Sequence, residues 1–267
     1  MNRLSTFGSE CPVIGMVHLP ALPGSPQSNR DLATLRERAL ADARALERGG
    51  IDALLVENYG DVPFHPGDVP KHTVAFMTRL VSDVVGTVDC PAGVSALWND
   101  GAAAVSVAAA SGARFVRIPV HTGRVVSDTG VVEGRAHETV RLRDRLDADV
   151  AILADVDVKH AGGGAYASPA AELTATVDRG LADGVVVTGV ETGRPVSEEW
   201  LRAAREWRAD REGVPVLAGS GVTPDTVGDV LDALDGAIVG TALKRGGETA
   251  APVDTDRVAS LVDRAGE

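Results

Sequence analysis

The sequence predicts an α/β fold, a single (β/α)8 barrel domain over residues 1–267 with its active-site face at the C-terminal ends of the strands. Three observations predict it. The 267 residues are close to the roughly 250 typical of one such barrel. Short β-rich runs alternate with longer amphipathic segments from end to end, the pattern of a parallel sheet wrapped by helices. The long connections all follow β-rich runs, which puts loop elaboration on one face.

The runs, in order, are Val13–His18, Ile51–Glu57, Gly93–Leu97, Phe115–Pro119, Val150–Asp157, Gly184–Thr188, Val214–Ala218 and Ala237–Val239. Each is apolar and β-branched enough for a buried strand. The helical patterns are Leu32–Arg48, Thr73–Val85, Asp100–Ser111 and His137–Leu146, then Pro169–Leu181, Glu198–Ala209, Pro224–Leu234 and Arg257–Ala265. Asp31 and Asp100 stand where helix N-caps belong, and Pro224 suits a first helical turn. Gly50-Ile51-Asp52 and Gly112-Ala113-Arg114 read as helix stops before short turns back to the barrel. The lengthened loops are Pro20–Asp31, Tyr59–Lys71, His121–Gly134 and Lys159–Ser168. An open doubly wound sheet is the runner-up, and no GxGxxG follows the first run to support it.

The net charge of −12 comes from 24 Asp and 14 Glu against 23 Arg and three Lys. An Asp-rich, Lys-poor surface suits a high-salt cytoplasm, where ions screen the repulsion. It makes nucleic acid a poor partner, and 3% aromatics leave few stacking platforms for single strands. Cys11 and Cys90 form no CxxC and no metal-ligand spacing, so they are expected as buried thiols of a reducing compartment. The first residues carry no hydrophobic signal core, and the Ala-rich stretch 102–110 is too short to span a bilayer. A cytoplasmic protein without a transmembrane segment, assembled as a homo-oligomer, is the expectation.

The seventh run ends in Leu217-Ala218-Gly219-Ser220-Gly221-Val222-Thr223-Pro224, and the eighth in Val239-Gly240-Thr241-Ala242-Leu243-Lys244. Glycine lets backbone N–H groups approach an anion closely, Ser220 and Thr241 add hydroxyls, and a helix start after Gly240 would point its positive end at the same place. Two such segments after the last two strands, where barrels hold phosphate, predict a phosphate cradle of Gly219, Ser220, Gly221, Gly240 and Thr241. Thr188 and Gly189, after the sixth run, are expected to close its third side.

The fifth run ends Asp155-Val156-Asp157-Val158-Lys159. Strand alternation puts Asp155, Asp157 and Lys159 on one face, pointing into the barrel mouth. Three charged groups there need pairing or a ligand. Asp155 and Asp157 suit Mg²⁺ or Mn²⁺, while Lys159 suits imine chemistry or general-base work. The neighbouring carboxylates favour its ammonium form, which turns the reading toward an electrostatic or metal role. A salt-bridged plug that only stabilises the barrel is the alternative. Other strand ends supply His18, Glu57, Asn99, Arg117 and His121, polar groups beyond what a core needs. Glu133 and His137 stand where the fourth helix begins.

Several strings here resemble the BtpA family, which includes the SgcQ-type proteins. They are Gly15-Met16-Val17-His18-Leu19-Pro20, Val56-Glu57-Asn58-Tyr59-Gly60-Asp61, Val120-His121-Thr122-Gly123, Glu133-Gly134-Arg135-Ala136-His137-Glu138, Ala154-Asp155-Val156-Asp157-Val158-Lys159-His160 and Gly219-Ser220-Gly221-Val222-Thr223. The resemblance covers nearly the whole chain. It implies a phosphate-binding TIM barrel, and a family name taken from photosystem I biogenesis, with members also in carbohydrate-utilisation settings. A nucleoside-triphosphatase label attached to some members has no GxxxxGK[ST] loop here to support it, and no nucleotide-cofactor motif is found. The sequence departs from the family pattern at Trp98, Pro119 and Asp157, where a basic residue, Asn and His are usual.

Together these readings predict an enzyme for a small phosphorylated metabolite, a sugar phosphate or a nucleotide-derived compound, with isomerase-, lyase- or metal-assisted cleavage chemistry at the mouth. A biogenesis factor for a membrane complex and a ligand-binding regulatory barrel are the alternatives.

Overall fold

Strand β1 (Val13–His18) is buried along its whole length and pairs in parallel with a strand on each side, so it has no free edge. The computed structural model describes residues 6–157, 166–189, 196–211 and 213–266. After β1 come α1 (Leu32–Arg48), β2 (Ala53–Glu57), α2 (Lys71–Val85), β3 (Ala92–Ser95), α3 (Gly101–Ser111) and β4 (Phe115–Ile118). A hairpin of β5 (Arg124–Ser127) and β6 (Gly130–Glu133) precedes α4 (Ala136–Arg145) and β7 (Ala151–Val156). The chain continues through α5 (Pro169–Thr174), β8 (Gly184–Val187), α6 (Glu198–Ala209), β9 (Val216–Ala218), α7 (Val227–Ala233), β10 (Ala237–Val239) and α8 (Thr255–Ala265). The barrel closes in the order β1-β2-β3-β4-β7-β8-β9-β10, and all eight neighbour pairings are parallel. The predicted fold class is the one observed.

Every expected run is a barrel strand, and β1 and β10 have the expected bounds. Asp31 and Asp100 cap α1 and α3 as read from the sequence, accepting from Ala33 and Thr34 N–H and from Ala103 N–H respectively. Four expectations need correction. The loop 121–134 contains the β5–β6 hairpin, whose strands are mostly exposed and so form no buried apolar run. Helix α7 starts at Val227 rather than Pro224, because Thr226 Oγ1 first holds a turn by accepting from Thr223 N–H at 3.0 Å. Helix α5 widens after one and a half turns into a π-helical segment, Ala175–Arg179. Cys11, expected as a buried thiol, is exposed, and Cys90 is half-buried.

Period-two alternation divides the core into two shells. Inside the barrel lie Ile14, Met16, Ala53, Leu55, Phe115, Leu153, Val186, Leu217 and Ile238. Phe7 joins them, its ring edge-on to Phe115 with 5.0 Å between centroids. The opposite strand faces pack with the helices in a second, larger cluster. At the rim where strands begin, three aspartates each accept one N–H near the start of the preceding neighbour strand. Val13 donates to Asp52 at 2.8 Å, Ile152 to Asp183 at 2.8 Å and Val216 to Asp235 at 2.9 Å. In Gly50-Ile51-Asp52 the turn signal thus carries a backbone clamp as well as a turn. Among the described residues, no helix is long and apolar enough to cross a membrane.

Candidate active site

Followed upward along the inner face, four strands exchange apolar for polar side chains at their C-terminal ends. Ile14 and Met16 give way to His18, Ala53 and Leu55 to Glu57, Phe115 to Arg117, and Leu153 to Asp155. These four polar residues are all buried and line one cavity of about 520 Å³ at that end of the barrel. Gly219, Ser220, Gly221, Gly240 and Thr241 line the same cavity, so the glycine segments and the charged group open into a single space. That volume is in the ~300–1,000 Å³ range of ligand pockets.

Arg117 and Asp155 are joined by two hydrogen bonds of 2.8 Å, from Nε and Nη2 to the two carboxylate oxygens. Burial opposes the guanidinium charge, but Asp155 and then Glu57 outweigh it and hold the Arg117 pKa above its ordinary value. A charged guanidinium, closed into an ion pair with Asp155, therefore sits at the base of the cavity. His18 Nδ1 lies 3.2 Å from Thr249 O. A carbonyl only accepts, so Nδ1 carries the proton in that contact, and Nε2 faces Glu57 Oε1 at 3.9 Å. The imidazole is tilted against the Tyr59 ring, 4.8 Å between centroids.

The glycine corner has a steric reason for its residues. A Cβ on Gly219 would lie 2.5 Å from Val186 Cγ1 and 2.6 Å from Thr188 Cγ2, and one on Gly240 would lie 3.0 Å from His18 Cε1. Gly221 has φ +70, a left-handed conformation natural to glycine. The expected helix after Gly240 is a single 3₁₀ turn, Thr241–Leu243. Thr241 and Thr249 share a hydroxyl–hydroxyl hydrogen bond of 2.8 Å. Arg257, which sequence reasoning passed over, also lines this corner and is anchored by its Nε donating to Ala242 O at 2.8 Å. Its signal was a lone arginine on a C-terminal helix, indistinguishable from a surface residue.

Several expected site residues lie elsewhere. Thr188 is fully buried and donates to Asp157 O at 2.7 Å, while Gly189 N–H donates to Ser220 Oγ at 2.6 Å. The pair supports the Ser220 turn from behind instead of closing a third side of the cavity. Asn99 is a backbone clamp, its amide both donating to Val120 O (2.9 Å) and accepting from Val120 N–H (2.7 Å). His121 is buried with Nε2 donating to Gly180 O at 2.8 Å, and burial lowers its pKa; it does not line the cavity. Glu133 and His137 also stay outside it.

Asp155 and Asp157 do not share a face. β7 ends at Val156, and Asp157 turns into the left-handed region at φ 52, which breaks the alternation that would have paired them. Asp157 is raised in pKa by burial; it is hydrogen-bonded to Trp200 and lies near Glu199, on the α6 side. Lys159 lies outside the described residues. Among the described residues, no three His, Cys, Asp or Glu gather as a metal-ligand group.

A closed eight-stranded parallel barrel with a cavity at the strand C-termini, charged at its base, defines a TIM barrel with a candidate active site in the usual place. The model of the BtpA family matches residues 9–267, and the chain belongs to that family. It is 40% identical over 267 residues to the photosystem I biogenesis protein BtpA of Synechocystis, covering 100% of this chain and 92% of that one. A Thermococcus kodakarensis relative is 44% identical over 256 residues, 96% of this chain and 95% of that protein. In fold, the chain resembles a metabolic enzyme, tryptophan synthase of M. tuberculosis, with a TM-score of 0.61 at 18% identity, covering 99% of this chain and 97% of that one.

Proposed function

We propose that this protein is a metabolic enzyme acting on a small phosphorylated metabolite by proton-transfer chemistry of the isomerase or lyase type. One observation carries the reading: the glycine corner and the buried charged group open into the same 520 Å³ space. A phosphate seated against Gly219–Gly221 and Gly240–Thr241 serves as a handle whose binding energy positions the reacting carbons below. Gly240 abuts His18, so the handle is adjacent to the base. His18 Nε2, oriented by the Nδ1 contact to Thr249 and facing Glu57, exchanges the proton. Arg117, kept charged by Asp155, stabilises a developing oxyanion.

The test is a thermal-shift screen of phosphorylated metabolites, with and without Mg²⁺ or Mn²⁺. A ligand at ~100 times its Kd adds about 2.7 kcal/mol. Thr241→Asp and Ser220→Asp place a negative charge in the corner and are expected to abolish the shift. Shifts that survive both substitutions, or no shift with any phosphorylated compound, sink the reading.

A second reading, an assembly or stability factor for a membrane complex, rests on the name of the Synechocystis relative. It has no need of a charged cavity base. Restoration of photosystem I in a strain lacking that relative, by a variant with Arg117 and His18 replaced, would favour it.

A further inference from the structure

We infer that the phosphorylated ligand ends in a flat aromatic or heteroaromatic ring, and that Tyr59, Phe64 and Trp98 receive it; this rests on the phosphate reading above. Aromatic side chains are scarce in the chain, with three Trp, two Tyr and four Phe. Most have structural uses. Phe7 and Phe115 fill the barrel interior, and Phe76, Trp200 and Trp207 pack between helices and strands. Tyr59, Phe64 and the largely buried Trp98, a third of the total, line the cavity that also holds the glycine corner and the charged base.

This wall is held in place before any ligand arrives. Asn58 accepts from Leu97 N–H at 2.7 Å and donates to Asp61 at 3.1 Å, and Asp61 accepts from Leu22 N–H at 2.7 Å. These bonds tie together the loops after β1, β2 and β3. Trp98 N–H donates to His65 O, while Trp98 packs with Val120, Val132 and partly buried Phe64. Tyr59 rests on His18. Rigid rings on a fixed frame bind a flat partner with little ordering cost.

The chemistry of the wall selects against a polyol. Val62, Leu97 and Pro119 complete it, and their carbon surfaces leave sugar hydroxyls without partners, a loss each buried hydroxyl would carry. A conjugated ring meets the same surface by stacking, worth ~1–3 kcal/mol per ring, or about 5- to 150-fold in affinity. Asp128, at the turn of the β5–β6 hairpin, also lines the cavity and offers an acceptor to a ring N–H.

The experiment titrates the full chain with inorganic phosphate, ribose 5-phosphate, phenyl phosphate and nucleoside 5′-monophosphates, alongside unphosphorylated nucleosides, by calorimetry and tryptophan fluorescence. Phenyl phosphate or a mononucleotide is expected to bind at least about fivefold tighter than ribose 5-phosphate. Trp98→Ala and, at the rim, Phe64→Leu should erase most of that margin while leaving inorganic phosphate affinity unchanged. Trp98→Phe should retain it. Ribose 5-phosphate binding as tightly as the ring compounds, or a margin that survives both ring deletions, overturns the inference. Nucleosides binding as well as their phosphates would overturn the phosphate reading while leaving the ring wall standing. Silence from every compound overturns both.

Discussion

Arg117 on β4 and Asp155 on β7 meet above the barrel core through two parallel hydrogen bonds of 2.8 Å, with side-chain exposures of 6% and 2%. Neither charge has water enough to stand alone. Removing one partner strands the other, a loss of about 3–5 kcal/mol. Arg117→Met is therefore expected to lower unfolding stability by that amount, and the double variant Arg117→Met/Asp155→Leu to recover much of it. Equal losses from single and double variants in urea unfolding would deny the coupling.

His18 is expected to matter for turnover rather than for holding phosphate. His18→Gln should lower kcat by about 10²–10⁴-fold once a substrate is found, with inorganic phosphate affinity nearly unchanged. A comparable loss of phosphate binding would move His18 from proton transfer to the binding corner.

The aspartates at the lower rim predict a purely structural loss. Asp52→Ala leaves the Val13 N–H of β1 without its 2.8 Å acceptor and is expected to cost about 1–3 kcal/mol. Ligand affinity, set at the opposite rim, should not change. A calorimetric Tm drop accompanied by weaker ligand binding would contradict this separation.

Lys244 is fully buried and donates to Met16 O at 2.7 Å. Burial lowers its pKa to about 8, against an ordinary 10.5, with Asp42 partly opposing and Arg38 reinforcing the shift. Between those two values the unfolded chain holds a proton the folded chain has released, so stability from this group rises with pH across that window. Below about pH 8 both states are protonated and the contribution is flat. Cys90, pushed by burial from 9.0 to about 11, acts in the opposite direction above pH 9, so the comparison must be with Lys244→Met. The stability difference between the two proteins is expected to grow by on the order of 1–3 kcal/mol from pH 8 to 10, and a constant difference would refute the shift.

The barrel was legible because its signals repeat. Eight apolar runs such as Val13–His18 and Ala237–Val239 need only local pattern to be recognised, and parallel closure follows from their number and spacing. Arg117, Asp155, Glu57 and His18 were legible for a related reason: each sits two positions above an apolar inner-face residue. Asp157 was misplaced because alternation holds only while the strand lasts, and one left-handed residue ended it. Asn99, His121 and Thr188 carry the chemistry of active-site residues, but their bonds are to backbone groups that only tertiary structure brings near. The ring wall was missed for the complementary reason. Tyr59, Phe64 and Trp98 come from two loops, and Phe64 and Trp98 are 34 residues apart in a sequence that gives no sign of their meeting.

Asp52, Asp183 and Asp235 reach partners 39, 31 and 19 residues away, each within one strand–helix–strand unit. Three units of the cylinder are thus fastened at its foundation, with no clamp among them depending on a residue of the mouth. Loops above can be exchanged and the cavity re-lined while every fastening below stays closed. A lineage carrying this barrel is free to trade ligands without renegotiating its fold.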